Sequence, residues 1–304
     1  MKQIHSLAQF HALLSLPKPL HPLVSVVRVS ELHLTNTAVW TQFATDFYTI
    51  SLKDNIQSKV KYGLQYYDFD TGTMTFIAPN QVQTVEPNEA NASNEIQGTG
   101  YVLMFHPDFL ATHPLAADIH NYGFFAYAVN EALHLSEKEK KDVVAIFEKI
   151  ATEYQHIDKH TQAIILSHLD LLLHYSNRFY ERQFITRTKV NHDLVANMEQ
   201  LLHSYFDTEA PLLSGLPTVG YLAEQLHVSP RYLSDMLRSV TGQNTQYHIH
   251  EYVLAKAKEK LVTTNQSVGE IAFALGFEHS QSFNKLFKSK INQTPLAYRQ
   301  SFRR

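Results

Sequence analysis

Hydrophobic and polar positions follow three different rhythms along the chain. Up to residue 123 the apolar positions come in short runs: LVSVVRV (23–29), DFYTISLK (46–53), KYGLQYYDF (61–69), TMTFIAP (73–79) and GYVLMF (100–105). They are rich in β-branched and aromatic residues, which predicts strands. Their close spacing predicts a small antiparallel barrel or sandwich. Asp70-Thr71-Gly72, between two of the runs, predicts a tight hairpin turn.

From residue 124 to 210 the period becomes helical, and the block holds neither proline nor glycine. SEKEKKDVVAIFEKIATEY sets Val143, Phe147, Ile150 and Tyr154 on one face, and Ser136 with Glu139 has the spacing of a capping box. QAIILSHLDLLLHY follows, with a stripe of Ile165, Leu169, Leu172 and Leu173 and, beside it, Ile164 and Leu171. A helix apolar on more than one side needs several neighbours. Two readings stand: it packs on the barrel and its sister helix, or part of the face closes a homodimer. The polar stretch 183–190 reads as a linker between domains at 1–182 and 191–304.

Beyond residue 210 one pattern occurs twice. VGYLAEQLHVSPRYLSDMLRSVTGQ and VGEIAFALGFEHSQSFNKLFKSKINQ align Val219, Leu222, Ala223 and Leu226 with Val268, Ile271, Ala272 and Leu275. One residue is inserted in the second turn. Leu233, Met236 and Leu237 then align with Phe283, Leu286 and Phe287. Each copy is two amphipathic helices around a tight turn, the helix-turn-helix pattern, at about 219–242 and 268–292. Ser229 and Pro230 suit an N-cap and a first helical position. Gly276 suits a left-handed turn position, and Gly242 and Asn292 suit left-handed helix ends. Between the copies TQYHIHEYVLAKAKEKLVTT lines up Ile249, Val253, Ala257 and Leu261. About 18 helical residues span roughly 27 Å, a length that sets two recognition helices near one DNA turn apart, about 34 Å.

Charge adds a direction to this layout. The formal net charge is −3. From Thr218 onward there are 11 Lys and Arg against 6 Asp and Glu, and before it 15 against 23. A basic end on an acidic remainder points to a polyanion partner. There is no cysteine, which excludes disulfides, thiol nucleophiles and cysteine metal sites. No apolar run reaches the ~20 residues of a membrane helix, and the N-terminal apolar stretch is broken by Pro17, Pro19 and Pro22. The expectation is a cytoplasmic protein without a signal peptide or membrane contact.

EIAFALGFEHSQSFNKLFKSKINQTPLAYR, with its Ile-Ala pair, Gly-Phe turn, Phe-x-x-x-Phe-Lys helix and Thr-Pro-x-x-Tyr-Arg, resembles the DNA-binding domain of the AraC/XylS family of transcription regulators. The resemblance implies that the second helix of each copy enters the major groove of double-stranded DNA. It assigns base reading to Arg231, Ser234 and Asp235 in copy one and to Ser280, Gln281, Asn284 and Lys285 in copy two. Arg and Lys can donate to guanine, and Asn and Gln can pair with adenine. Asp235 departs from the family's usual basic or neutral residue: it accepts from cytosine or weakens copy one by repelling phosphate. Arg238, Lys288, Lys290 and Arg299 are the phosphate candidates. The plain alternative for each is a solvated surface residue.

YYDFDTGTMTFIAPNQVQ resembles, more loosely, the sensor half of the same family. The implied fold is α+β and multidomain: an N-terminal cupin-like antiparallel β-barrel with a helical dimerisation hairpin, then an all-α domain with two helix-turn-helix motifs. The implied partners are a small-molecule effector, a second copy joined through residues 137–180 and, for an activator, RNA polymerase. Trp40, Phe47, Tyr48, Tyr62 and Tyr66 are candidates for lining an effector pocket; the plainer reading of aromatic strands is core. Two rivals remain, a ligand-independent repressor or architectural DNA binder and a cupin-type metalloenzyme. The second lacks support: His248 and His250 lie on the spacer helix, His156 and His160 find no third ligand, and no P-loop, GxSxG or HExxH occurs. No cofactor and no metal are expected.

Overall fold

The computed structural model describes residues 1–33, 37–54, 56–62, 65–69, 72–84, 98–128 and 131–302, with backbone alone at 37–38, 56–62, 65–69 and 188–189. The chain divides into two compact units, Met1–Gln183 and Phe184–Arg304.

Among the described residues the first unit has nine strands: β1 Lys2–Ile4, β2 Val24–Arg28, β3 Phe43–Thr45, β4 Tyr48–Asp54, β5 Ile56–Tyr62, β6 Gln65–Phe69, β7 Thr73–Ile77, β8 Thr99–Phe105 and β9 Leu133–His134. Five of them make an antiparallel sheet in the order β2-β8-β4-β7-β9. Among the described residues this sheet does not close into the expected barrel, because β9 contributes only two residues to the ladder and β2 stands at the other edge. The expected hairpin at residues 70–72 also differs. The run 61–69 is split between β5 and β6, which pair with each other, while β7 pairs with β4 and β9. Asp70 and Thr71 lie outside the described residues.

Alternation along the strands puts Tyr48, Ile50 and Leu52 of β4 opposite Phe105, Leu103 and Tyr101 of β8. The helices described in this unit are α1 Leu7–Leu13, α2 Thr37–Trp40, α3 Leu115–Asp118 and α4 Glu137–Tyr154. A fifth, α5 Thr161–Thr186, carries the division between the units. Phe147 of α4 stacks on Tyr101 at 5.5 Å, and Tyr180 of α5 stacks on Phe124 at 5.5 Å. On the opposite face Val27, Val102 and Met104 join Ile4, Leu7, Trp40, Phe43 and Phe47 in one apolar cluster. The capping box is formed: Ser136 and Glu139 exchange hydrogen bonds at the start of α4. Glu139 also receives Nη2 of Arg182 on α5 at 2.8 Å. These contacts outweigh burial and hold the Glu139 carboxyl below its ordinary range. The stripe Ile165, Leu169, Leu172 and Leu173 is fully buried, whereas Ile164 and Leu171 are 39% and 44% exposed.

The second unit is helical: α6 Thr188–Phe206, α7 Ala210–Ser214, α8 Val219–Gln225, α9 Pro230–Thr241, α10 Thr245–Thr263, α11 Val268–Ala274, α12 Ser280–Ile291 and α13 Pro295–Phe302. The polar stretch 183–190 is helical on both sides of Arg187. The two copies of the repeat are α8–α9 and α11–α12. Both turns close alike. In copy one the N–H of His227 donates to Glu224 and that of Val228 to Ala223, at 3.1 and 3.0 Å. In copy two Gly276 donates to Phe273 and Phe277 to Ala272, at 2.9 and 3.0 Å. This paired 5→2 and 6→1 bonding is the Schellman motif, and it demands a left-handed residue at its centre. His227 has φ 56° and Gly276 φ 89°. Gly242 and Asn292 are left-handed at the ends of α9 and α12, as their residue types predict.

The two left-handed positions differ in what surrounds them. A Cβ on Gly276 would lie 2.6 Å from the carbonyl carbon of Gly215 and 2.8 Å from its oxygen. Tyr205 holds that oxygen from the other side, donating at 2.9 Å. His227 is exposed. Gly276→Ala is therefore expected to destabilise the second unit by about 2–3 kcal/mol, since backbone strain adds to a clash with backbone. His227→Gly is expected to change stability by less than about 1 kcal/mol, because relief of the left-handed strain offsets the added chain entropy. Denaturant titration of both variants checks the contrast. In the first unit Gly100 has φ 127°, and a Cβ there would lie 2.0 Å from the Leu52 carbonyl oxygen. Gly100→Ala is expected to break the β4–β8 ladder locally and lower the melting transition of that unit, read by circular dichroism.

Candidate nucleic-acid interface

The outward faces of α9 and α12 are set by what their inward faces bury. Leu233, Met236 and Leu237 of α9 and Phe283 and Phe287 of α12 are fully buried. Leu222, Ile271 and Leu275 pack behind them, while Leu226 is half-buried at the end of α8. Both helix pairs lean on α10, whose Ile249, Val253, Ala257 and Leu261 have no exposed surface. Ser229 caps α9 by accepting from the Tyr232 N–H at 3.2 Å, with Pro230 in the first turn. His279 precedes α12 without a side-chain cap.

The α12 face is open and basic. Gln281, Asn284, Lys285 and Lys288 are exposed, and the three- and four-residue spacing puts them on one face. Ser280 begins the helix half-buried. No acidic residue occurs in α12.

The α9 face is self-engaged. Arg231 donates from Nε to Oδ2 of Asp235 at 2.8 Å, and Arg238 donates from Nη1 to Oδ1 at 2.9 Å. The Asp235 side chain is only 15% exposed, against 47% for Arg231 and 55% for Arg238. Ser234 bonds the hydroxyl of Thr245, the buried first residue of α10, at 3.0 Å. Sequence reasoning treated Asp235 as a separate contact and missed this clamp. The spacing Arg231, Asp235, Arg238 is itself the signal for it.

Two phosphate candidates sit elsewhere. Arg299 is buried, at 8% exposure, and its Nε donates to the Leu261 carbonyl at 3.0 Å. It satisfies a carbonyl in the last turn of α10, where a helix leaves such groups unpaired and a cation is favoured. The Thr-Pro-x-x-Tyr-Arg segment thus works structurally: Thr294 caps α13 through the Ala297 N–H, and Tyr298 meets Phe287 edge-on at 5.5 Å. Lys290 lies 4.9 Å from the Tyr247 ring centre. Burial, with Lys290 second, lowers the pKa of His250 on α10.

The aromatic candidates of the first unit are placed as core. Trp40 is 2% exposed and meets Phe10 and Phe43 edge-on; Phe47 has no exposed surface and meets Phe10. Tyr48 stacks on Phe105 at 5.1 Å and meets Phe125 edge-on. Each of these rings packs against other rings. The side chains of Tyr62 and Tyr66 lie outside the described residues. A cleft of about 600 Å³ lies instead among His113, Asp118, Asn121, Tyr122, Asp170 and His174. Burial, then Asp170 and Asp118, raises the Tyr122 pKa. Among the described residues no three His, Asp or Glu side chains are grouped to hold a metal ion, and no helix is long and apolar enough to cross a membrane.

Comparison with known proteins falls on the same helices. The helix-turn-helix domain family matches residues 222–301. The bifunctional transcriptional activator/DNA repair enzyme AdaA of Bacillus subtilis is 32% identical over 83 residues, 27% of this chain and 39% of AdaA. That match falls on the helix-turn-helix part alone. The transcriptional activator RhaR of Pectobacterium carotovorum is 37% identical over 79 residues, 26% of this chain and 28% of RhaR. Among solved structures, the C-terminal domain of the response regulator yesN of Fusobacterium nucleatum is 32% identical. It covers 34% of this chain and 98% of its own, with a TM-score of 0.30. The chain thus spans less than two fifths of the length of either curated relative. With the family match running from α8 to α13, across both copies of the motif, the second unit carries a helix-turn-helix domain of the AraC type.

Proposed function

We propose that the chain is a sequence-specific DNA-binding transcription regulator, with α9 and α12 in successive major grooves of one duplex face. The observation that carries this is the exposed, acid-free face of α12, where Gln281, Asn284, Lys285 and Lys288 stand together. Amide and ammonium groups in that array suit base edges and phosphates. The length of α10, 19 residues or roughly 28 Å, suits the spacing of grooves one turn apart. By analogy with the relatives named as activators, the output is activation through contact with RNA polymerase.

The first unit is read as the sensor, with its sheet part of a cupin-like barrel. Its cleft beside Tyr122 has the size for a small effector. The exposed pair Ile164 and Leu171, two turns apart on α5, supports pairing of two copies through residues 137–180. Domain limits of 1–182 and 191–304 follow this division of labour.

The test of DNA reading is enrichment of random-sequence duplexes on the full chain, then salt titration on the selected site. Asn284→Ala is expected to relax one base position at a cost of about 1–3 kcal/mol. Lys288→Ala is expected to weaken all sequences alike and to reduce the salt slope by about one. Failure of the chain to enrich any sequence sinks the proposal. Pairing is tested by sedimentation: Leu171→Glu with Ile164→Glu is expected to give monomers where the unaltered chain gives dimers.

A further inference from the structure

The two recognition helices put different chemistry at matched positions. With Leu233 on Phe283, Arg231 corresponds to Gln281, Ser234 to Asn284, Asp235 to Lys285 and Arg238 to Lys288. In α12 all four of these side chains are exposed. In α9 one carboxylate, 15% exposed, takes Nε of Arg231 on one oxygen and Nη1 of Arg238 on the other, at 2.8 and 2.9 Å. Resting on the DNA-binding reading above, we propose that Asp235 is a positioning residue that aims Arg231 at a guanine, and not a base contact itself.

The geometry of the guanidinium carries the argument. Its donors form a rigid planar fork. Asp235 engages Nε, which leaves the Nη1 and Nη2 edge of Arg231, on a side chain 47% exposed, for a second partner. Two parallel N–H groups on that edge match O6 and N7 of guanine in the major groove. An arginine held in place before binding loses less side-chain entropy when it docks. Asp235 is poorly placed to read cytosine, since both oxygens already accept from arginines and little of the side chain meets solvent.

The same clamp has an electrostatic consequence. Two cations sharing one carboxylate present a net charge of about +1 to the phosphates, where the exposed Lys285 and Lys288 of α12 present about +2. Sequence-blind binding scales with phosphates neutralised. Asp235 therefore lowers binding to arbitrary duplex while sharpening the choice made by Arg231. Specificity is a difference of affinities, and a repulsive element raises it as surely as an attractive one.

The experiment is random-duplex enrichment with the full chain, run for the unaltered protein, Arg231→Ala, Asp235→Ala and Asp235→Asn at two salt concentrations. The unaltered chain is expected to select a guanine that Arg231→Ala loses. Both Asp235 variants are expected to lose that same guanine, by about tenfold or more in preference. The positions selected through α12 are expected to survive in all four proteins, a pattern that loss of fold does not produce. Asp235→Ala is also expected to bind random duplex several-fold tighter, with a salt slope steeper by about one. Retention of the guanine in both Asp235 variants overturns the proposal, leaving Asp235 a repulsive charge only. Loss of a cytosine preference that Arg231→Ala keeps overturns it too, because Asp235 then reads the base. Absence of any selected sequence in the unaltered chain overturns the DNA-binding reading beneath it.

Discussion

The interface depends first on a seam that never meets a ligand. α10 places Ile249, Val253, Ala257 and Leu261 against the two helix pairs, and none keeps exposed surface. Recognition by a rigid helix works only if that helix is held at a fixed angle and depth. Ile249, Val253 and Leu261 each contribute about 1.5–3 kcal/mol of burial, and the close packing of a core makes their positions costly to change. The seam is closed at both ends by polar bonds: Asn244 caps the start of α10, and Arg299 meets the Leu261 carbonyl near its end. The orientations of α9 and α12 descend from that one helix.

What the sequence reveals follows the range of the interaction. The Ser229 cap, the left-handed helix ends at Gly242 and Asn292 and the Ser136–Glu139 box are local, within about four residues, and are legible in the sequence. The repeat was legible because two helix pairs meeting one spacer need the same apolar positions twice. Pairing of β5 with β6, and of β7 with β4 across the sheet, is non-local, and the Asp70-Thr71-Gly72 signal pointed to a different hairpin. Arg299 shows the same limit: an arginine in a basic segment reads as a phosphate contact, and only the fold brings Leu261, 38 residues away, to it. Trp40, Phe47 and Tyr48 illustrate a second limit. Aromatic residues serve pockets and cores alike, and composition carries no sign of which faces are covered. The clamp at Asp235 is different again: the spacing of Arg231, Asp235 and Arg238 is visible in the sequence, but each side chain taken alone has the chemistry of a separate DNA contact.

The basic excess of the C-terminal region is distributed unequally once the fold is known. From Thr218 onward the sequence holds 11 cationic side chains. Arg299 is turned inward, Lys290 lies over Tyr247, and Lys256 is within 3.6 Å of Asp207. Arg231 and Arg238 share Asp235. Lys285 and Lys288 are exposed on α12, with no acidic residue on their own helix. A formal count thus overstates the field that a polyanion meets. The two copies, alike in apolar pattern, have diverged in their outward chemistry. α12 turns amide and ammonium groups outward, while α9 turns outward arginines whose charge is half compensated by Asp235. An evenly charged pair would grip any duplex from both ends. Under the proposed DNA-binding reading, charge concentrated in one helix supplies the attraction to a duplex, and the other helix contributes only where its arginine finds a matching edge.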